Sequence, residues 1–130
     1  MESEEAAILL VEDDELVRET VTEVLIADGL RVTMAATGPA GLDRIKDTEF
    51  DLVVTDIALP GGLDGVRMMQ KARALRPGLR CVFMSGGQPP SDSDRPLDKF
   101  VPKPFRLAEL LRSVRNMLRG RRGGRSVVPA

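Results

Sequence analysis

Histidine is absent from all 130 residues. That excludes a Ser-His triad, a His-ligated zinc site and a phosphohistidine on the chain itself. Any general base or phosphate donor must then be water or another molecule. There is one cysteine, Cys81. No disulfide can form within the chain, and the apolar run around Cys81 marks it as a buried thiol. No apolar run approaches the roughly 20 residues of a membrane span, and no segment resembles a signal peptide, so a cytoplasmic protein is expected. An excess of either charge is missing too. Nineteen basic residues against twenty acidic ones leave a net charge of -1, so bulk charge selects no partner.

What is present is a set of short apolar runs that stop abruptly on reactive side chains. Ala7-Ile8-Leu9-Leu10-Val11 ends on Glu12-Asp13-Asp14, and Leu52-Val53-Val54-Thr55 ends on Asp56. Cys81-Val82-Phe83-Met84 ends on Ser85, and Phe100-Val101-Pro102 ends on Lys103. Such runs read as buried parallel strands. In an open parallel sheet, ligands collect beyond the carboxyl ends of the strands. If these strands are parallel neighbours, acids, a hydroxyl and an ammonium share one shallow pocket suited to a divalent cation and a phosphoryl group.

The chain length fits one domain, and a 42% hydrophobic content is enough for one core. After the first strand, Asp14 caps a helix over 15–28 whose apolar face is Leu16, Val17, Val21, Val24 and Leu25. Gly29 stands where a left-handed residue ends that helix. A weaker strand follows over 31–35. Thr37 caps a short helix that starts at Gly38-Pro39, runs to about Lys46 and turns Leu42 and Ile45 inward. The third strand spans 51–55. Gly61, Gly62 and Gly65 surround a turn, and a helix over about 63–75 buries Val66, Met69 and Ala72. Strands over 80–84 and 99–101 and a helix over 106–119 complete the pattern, the last with Leu107, Leu110, Leu111, Val114 and Leu118 on one stripe. Five strands alternating with helices predict a three-layer α/β sandwich around a parallel sheet. Between the last two strands, 86–98 holds Gly-Gly and three prolines. Any helix there should be short, irregular or missing. Residues 120–130 read as a disordered Arg/Gly-rich tail after a domain over 1–119.

Mg²⁺ prefers oxygen ligands in a near-octahedral shell at about 2.1 Å and keeps several waters. Asp13 and Asp56 could supply two carboxylates, Glu12 could bind directly or through water, and the Ala58 carbonyl could complete the protein's share. Asp56 beside the metal is also a possible nucleophile toward phosphorus. Lys103 and Ser85 would meet the phosphoryl oxygens as a point charge and a hydroxyl donor. Taken singly, each residue has an ordinary explanation as a turn acid, a cap, a loop serine or a solvated lysine, and Asp14 reads as a cap only. Their joint placement at successive strand ends favours the site.

These residues resemble the receiver domains of two-component response regulators. Leu10-Val11-Glu12-Asp13-Asp14 is similar to that family's acidic motif. Asp56-Ile57-Ala58-Leu59-Pro60 with Asp64-Gly65 is similar to its phosphoacceptor segment, Met84-Ser85-Gly86 to its hydroxyl motif, and Lys103-Pro104-Phe105 to its lysine motif, where the Lys-Pro bond is typically cis. The resemblance covers about 6–119. It implies a flavodoxin-like sheet of order 2-1-3-4-5 and phosphorylation of Asp56 by a histidine kinase or a histidine phosphotransfer protein. It also implies Mg²⁺ held by Glu12, Asp13, Asp56 and the Ala58 carbonyl, with Ser85 and Lys103 on the phosphoryl group. Phe100 falls at the family's switch aromatic and acts with Ser85, an ordinary core aromatic being the alternative. Catalysis would be limited to the chain's own phosphorylation and dephosphorylation.

Two departures stand out. Between Pro60 and Asp64 lies one residue more than the family pattern, as Gly61-Gly62-Leu63. The 86–98 stretch is shorter than usual, which leaves the family's usual output face open. By the resemblance, small residues at Ala58 and Gly87 admit water and shorten the life of the phosphoryl group. The arginines from Arg112 to Arg125 read as dipole-complementing and solvated rather than as a nucleic-acid site, because no aromatics interleave with them. The output partner is open, as is a homodimer. The main rival function is an interaction module of the same fold that switches without phosphate. A phosphohydrolase acting on small molecules is disfavoured by Ala58, which stands where a second aspartate would be needed.

Overall fold

The computed structural model describes residues 5–87 and 96–127, with backbone alone from residue 120 onward. Five strands, β1 (Ala7–Val11), β2 (Arg31–Ala35), β3 (Leu52–Asp56), β4 (Cys81–Ser85) and β5 (Asp98–Pro102), form one sheet of order β2-β1-β3-β4-β5. All four pairings are parallel. Four helices are described: α1 (Glu15–Ala27), α2 (Gly38–Asp47), α3 (Gly65–Leu75) and α4 (Leu107–Val127). The expected sheet order is the observed one.

Alternation along the strands makes the layers. Ile8, Leu10, Leu52, Val54, Val82, Met84 and Val101 pack with Val21 and Leu25 of α1 and with Leu110, Val114 and Leu118 of α4. Their neighbours Leu9, Val11, Val53, Cys81 and Phe83 pack on the other face with Ile45 of α2 and with Met68, Met69 and Ala72 of α3. A period of two sends successive side chains to opposite faces, so uninterrupted apolar runs are what a doubly covered sheet requires.

Helix starts follow their caps. Asp14, Thr37 and Asp64 accept from the amides of Val17, Ala40 and Arg67 at 3.0, 3.1 and 2.8 Å. Each such cap contributes about 1 kcal/mol. The Asp64 cap corrects the expected start of α3 from 63 to Gly65. Gly29 takes φ +90°, as expected of a left-handed terminator. Leu16 departs from expectation: it is 73% exposed rather than on the buried face of α1. Leu107, expected on the inward stripe of α4, is also exposed. Both sit in first helical turns at the rim of the sheet, beyond the reach of the core.

α4 continues to Val127, past the expected end at about residue 119. Arg121, Arg122 and Arg125 are good helix formers, and they work there against Gly120, Gly123 and Gly124. Residues 128–130 of the expected tail lie outside the described residues. So does most of the stretch expected to carry an irregular helix, residues 88–95. Its exit is anchored. The Arg80 guanidinium donates to Pro96 O at 2.9 Å, that of Arg73 to Leu97 O at 3.2 Å, and Cys81 N donates to Leu97 O at 2.8 Å.

Candidate phosphoacceptor and metal site

Parallel pairing brings the carboxyl ends of β1, β3, β4 and β5 to one rim. Val11 lies opposite Thr55 and Asp56 opposite Met84, while Ser85 lies opposite Pro102. Glu12 and Lys103, the residues just after β1 and β5, and Asp56 and Ser85, the last residues of β3 and β4, are thereby brought to that rim. Glu12 and Asp56 are 1% and 7% exposed, whereas Asp13 is open to solvent. One carboxylate oxygen from each of Glu12, Asp13 and Asp56 lies within 4.8 Å of the others. Lys103 Nζ donates to Asp56 Oδ2 at 2.9 Å and to Glu12 Oε1 at 3.3 Å.

Backbone contacts hold these side chains. Asp14 N donates to Glu12 Oε2 at 3.0 Å, and Ala58 N to Asp56 Oδ1 at 3.3 Å. Thr55 Oγ1 donates to Asp56 O at 2.9 Å. The guanidinium of Arg18, on α1, reaches over the β1–α1 loop to donate to Glu12 O at 2.8 Å and to Asp13 O at 3.4 Å. Sequence reasoning missed Arg18 and Thr55, because a contact to a backbone carbonyl leaves no mark in residue spacing. Ser85 closes the β4 side, its hydroxyl exchanging hydrogen bonds with Gly87 N and O, each at 3.2 Å. Lys103 N donates to Ser85 O at 2.6 Å, which ties β4 to the Lys103-Pro104 segment, whose peptide bond is cis. Phe100 lies further back on β5, half-buried and stacked on Phe83 with ring centroids 4.9 Å apart.

Burial pushes the Glu12 carboxyl above its ordinary pKa, and the Asp56 carboxylate adds to that. The Asp14 amide and Lys103 oppose the rise without cancelling it. Burial lowers the Lys103 ammonium, but hydrogen bonding and attraction to Asp56, then to Glu12, outweigh it and leave its pKa raised. Lys103 is therefore firmly cationic. A hard cation with oxygen ligands fits the donor set: three carboxylates converge with no nitrogen or sulfur ligand among them.

Beside the site runs an apolar groove of about 570 Å³, lined by Leu16, Val17 and Val21 of α1 and by Pro104, Phe105 and Leu107. Lys103, paired with the Asp56 and Glu12 carboxylates, also lines it. Among the described residues, no helix is long and apolar enough to cross a membrane.

Residues 8–115 match the model of the response regulator receiver domain family. The response regulator receiver protein CpdR of Brucella abortus is 34% identical over 115 residues, which are 85% of this chain and 95% of CpdR. The sensor kinase CckA of the same organism is 34% identical over 119 residues, or 87% of this chain, but the match spans 12% of CckA. A response regulator MprA of Mycobacterium is matched at 34% identity over half of its length. Among solved structures, a receiver domain protein of Methanospirillum hungatei superimposes with a TM-score of 0.82 at 26% identity, covering 93% of this chain and 99% of that one. The receiver domain of the hybrid histidine kinase CckA gives 0.75 at 31% identity, covering 86% and 98%. The sheet order, the acidic rim with its lysine and the family match agree: this chain belongs to the response regulator receiver domain family.

Proposed function

We propose that the chain is a phosphoacceptor receiver, working in the cytoplasm, in which Asp56 takes a phosphoryl group from a phosphohistidine on a partner histidine kinase or phosphotransfer protein. The donor must be another molecule because this chain has no histidine. The observation that carries the reading is the Lys103 ammonium seated against both Asp56 and Glu12 at the rim where Asp13 also converges. An Asp56 carboxylate oxygen attacks phosphorus in line, the phosphorus–nitrogen bond of the donor breaks, and the donor's imidazole, already protonated on its other ring nitrogen, leaves neutral. Mg²⁺ would be held by Glu12, Asp13, Asp56 and the Ala58 carbonyl, and when bound it offsets charge on the phosphoryl oxygens. Lys103 turns from the carboxylates to one phosphoryl oxygen, and Ser85 donates its hydroxyl to another. In dephosphorylation a water oxygen attacks phosphorus, the bond between phosphorus and the Asp56 oxygen breaks, and the water's proton leaves with the inorganic phosphate, so the Asp56 carboxylate is regenerated. The small side chains of Ala58 and Gly87 leave that water room, so the phosphoryl group is short-lived.

Ser85 and Phe100 would form the switch. A tenfold shift between two conformations needs only about 1.4 kcal/mol of differential interaction. The apolar groove beside Lys103, with Leu16 exposed at its edge, is the surface on which the phosphodonor would rest while its imidazole faces Asp56. The domain spans residues 1–119 and is followed by an Arg/Gly-rich extension whose pattern does not suit a nucleic-acid partner.

Incubation with Mg²⁺ and acetyl phosphate, beside Asp56→Asn, tests the reading. One acid-stable, base-labile phosphoryl group per chain, lost in the variant and decaying in well under many hours, is the expected result. No incorporation would leave a phosphate-independent interaction module, and repeated turnover of unrelated phosphate esters would indicate a hydrolase.

A further inference from the structure

We propose that the first turn of α2 braces the loop after Asp56, making Gly38 a positioning residue for the metal and phosphoacceptor site. The inference rests on the phosphoacceptor reading and concerns what holds the loop in shape. Residues 57–64 link β3 to α3 and carry Ala58, the backbone ligand in that reading. This is also the segment with one residue more than the family pattern, in Gly61-Gly62-Leu63. In the structure that added length leans on α2.

The contact is backbone against backbone. A Cβ built on Gly38 would lie 2.0 Å from Leu63 O and 3.0 Å from the Leu63 carbonyl carbon. No side-chain rotation relieves such an overlap, so Leu63 itself would have to move. Gly61, with φ +92°, places its missing Cβ 3.2 Å from Pro39 Cδ, so the loop touches the same turn of α2 at a second point. The Leu63 carbonyl, with its negative end at the start of a helix, also sits where the α2 dipole favours it. The other limb of the loop is fixed at α3. A Cβ on Gly65 would lie 2.2 Å from Asp56 O, and Gly65 N donates to Ile57 O at 2.7 Å. The loop is thus clamped between two glycine contacts, one on Asp56 itself and one on a helix outside the site. Moving the α2 contact displaces the segment that presents Ala58 to the metal. Errors of about 1 Å in such placement can cost about a hundredfold in rate.

Gly41 supplies the control. The three atoms nearest its Cβ would be Met68 Sδ at 2.8 Å and Val11 Cγ2 and Cγ1 at 2.9 and 3.6 Å, all side-chain atoms of the core between α2, α3 and the sheet rather than loop backbone. Mg²⁺ affinity by calorimetry, thermal midpoint and the rate of Asp56 phosphorylation by acetyl phosphate are measured for the parent, Gly38→Ala and Gly41→Ala. Gly38→Ala should weaken Mg²⁺ binding by about tenfold or more and slow phosphorylation at saturating Mg²⁺. Gly41→Ala should lower the thermal midpoint while holding Mg²⁺ affinity within about twofold of the parent. Pro39→Ala, which removes the ring against Gly61 and adds no bulk, should weaken Mg²⁺ about threefold and decides the question if Gly38→Ala does not fold. Equal Mg²⁺ affinity in the parent and Gly38→Ala, equal losses in the two glycine variants, or an unchanged Pro39→Ala where Gly38→Ala does not fold would each overturn the brace alone. A parent that binds no Mg²⁺ would overturn the phosphoacceptor reading and the brace with it.

Discussion

The two ends of the sheet are built from the same residue types and come to opposite results. At the amino ends of the strands, Asp98 and Asp51 each meet a donor. Arg73 donates to Asp98 Oδ1 at 2.6 Å and to Leu79 O at 3.0 Å, and Asp51 accepts from Ala7 N at 2.7 Å. At the carboxyl ends, Glu12, Asp13 and Asp56 crowd within 4.8 Å with the Lys103 ammonium paired to two of them. Arg18 is nearby, yet its guanidinium is spent on main-chain carbonyls. A matched end holds structure together and has little left to offer a ligand. An end with excess carboxylate is costly when empty and is relieved by a cation. The difference lies in stoichiometry and geometry, and it is the ground on which the site is proposed at the carboxyl-end rim.

Substitutions that exchange the roles of the two ends test this contrast. The largest effect is expected for Lys103→Met, which keeps the apolar stem and removes the charge. Phosphorylation of Asp56 by acetyl phosphate should slow about a hundredfold or more, while Mg²⁺ affinity holds or rises because the ammonium no longer competes for the carboxylates. Equal losses in both would mean that Lys103 only supports the fold. Next comes Arg73→Ala, at the matched end. It strands Asp98, so stability by denaturant titration should fall by about 3 kcal/mol, with phosphorylation per folded molecule unchanged. A selective loss of phosphorylation would erase the division between the ends.

A smaller effect is expected from pH. Folded Glu12 keeps its proton to higher pH than the unfolded chain does, so its ionisation counts against the metal-free fold as pH rises through the raised value. Lys103, also raised, contributes stability that is fully present at neutral pH and is lost as pH rises from the ordinary 10.5 through its elevated pKa. Protons and Mg²⁺ compete for the same oxygens. On lowering the pH, Mg²⁺ affinity should therefore begin to fall above the ordinary glutamate value of 4.5, and Glu12→Gln should flatten that slope. A parent profile indistinguishable from that of Glu12→Gln would remove Glu12 from the metal site. The smallest effect concerns Cys81. Burial holds its thiol well above the ordinary value, so it should resist alkylation in the folded protein and react on unfolding.

The strands were legible because an apolar run covered on both faces leaves a plain signature, and the acids at their ends mark where the core stops. Glu12, Asp13, Asp56 and Lys103 were legible together for that reason, since parallel pairing converts position along a strand into position on a rim. Leu16 shares the apolar stripe of α1 yet lies exposed, because helical spacing reports which residues share a stripe and says nothing of where the covering layer ends. The apolar Leu63 invites an earlier start for α3, but the chain follows the Asp64 cap. Arg18 and Thr55 act on carbonyl oxygens, and the Gly38–Leu63 contact is between backbones far apart in sequence. No local pattern encodes either kind of contact.

The central claim is that Glu12, Asp13 and Asp56 act as one cation-dependent unit. Its most direct test is a calorimetric titration of the metal-free protein with Mg²⁺, repeated on Asp13→Asn. One site per chain, weakened about tenfold or more by that single exposed substitution, is the predicted result. No binding, or binding untouched by Asp13→Asn, would contradict it.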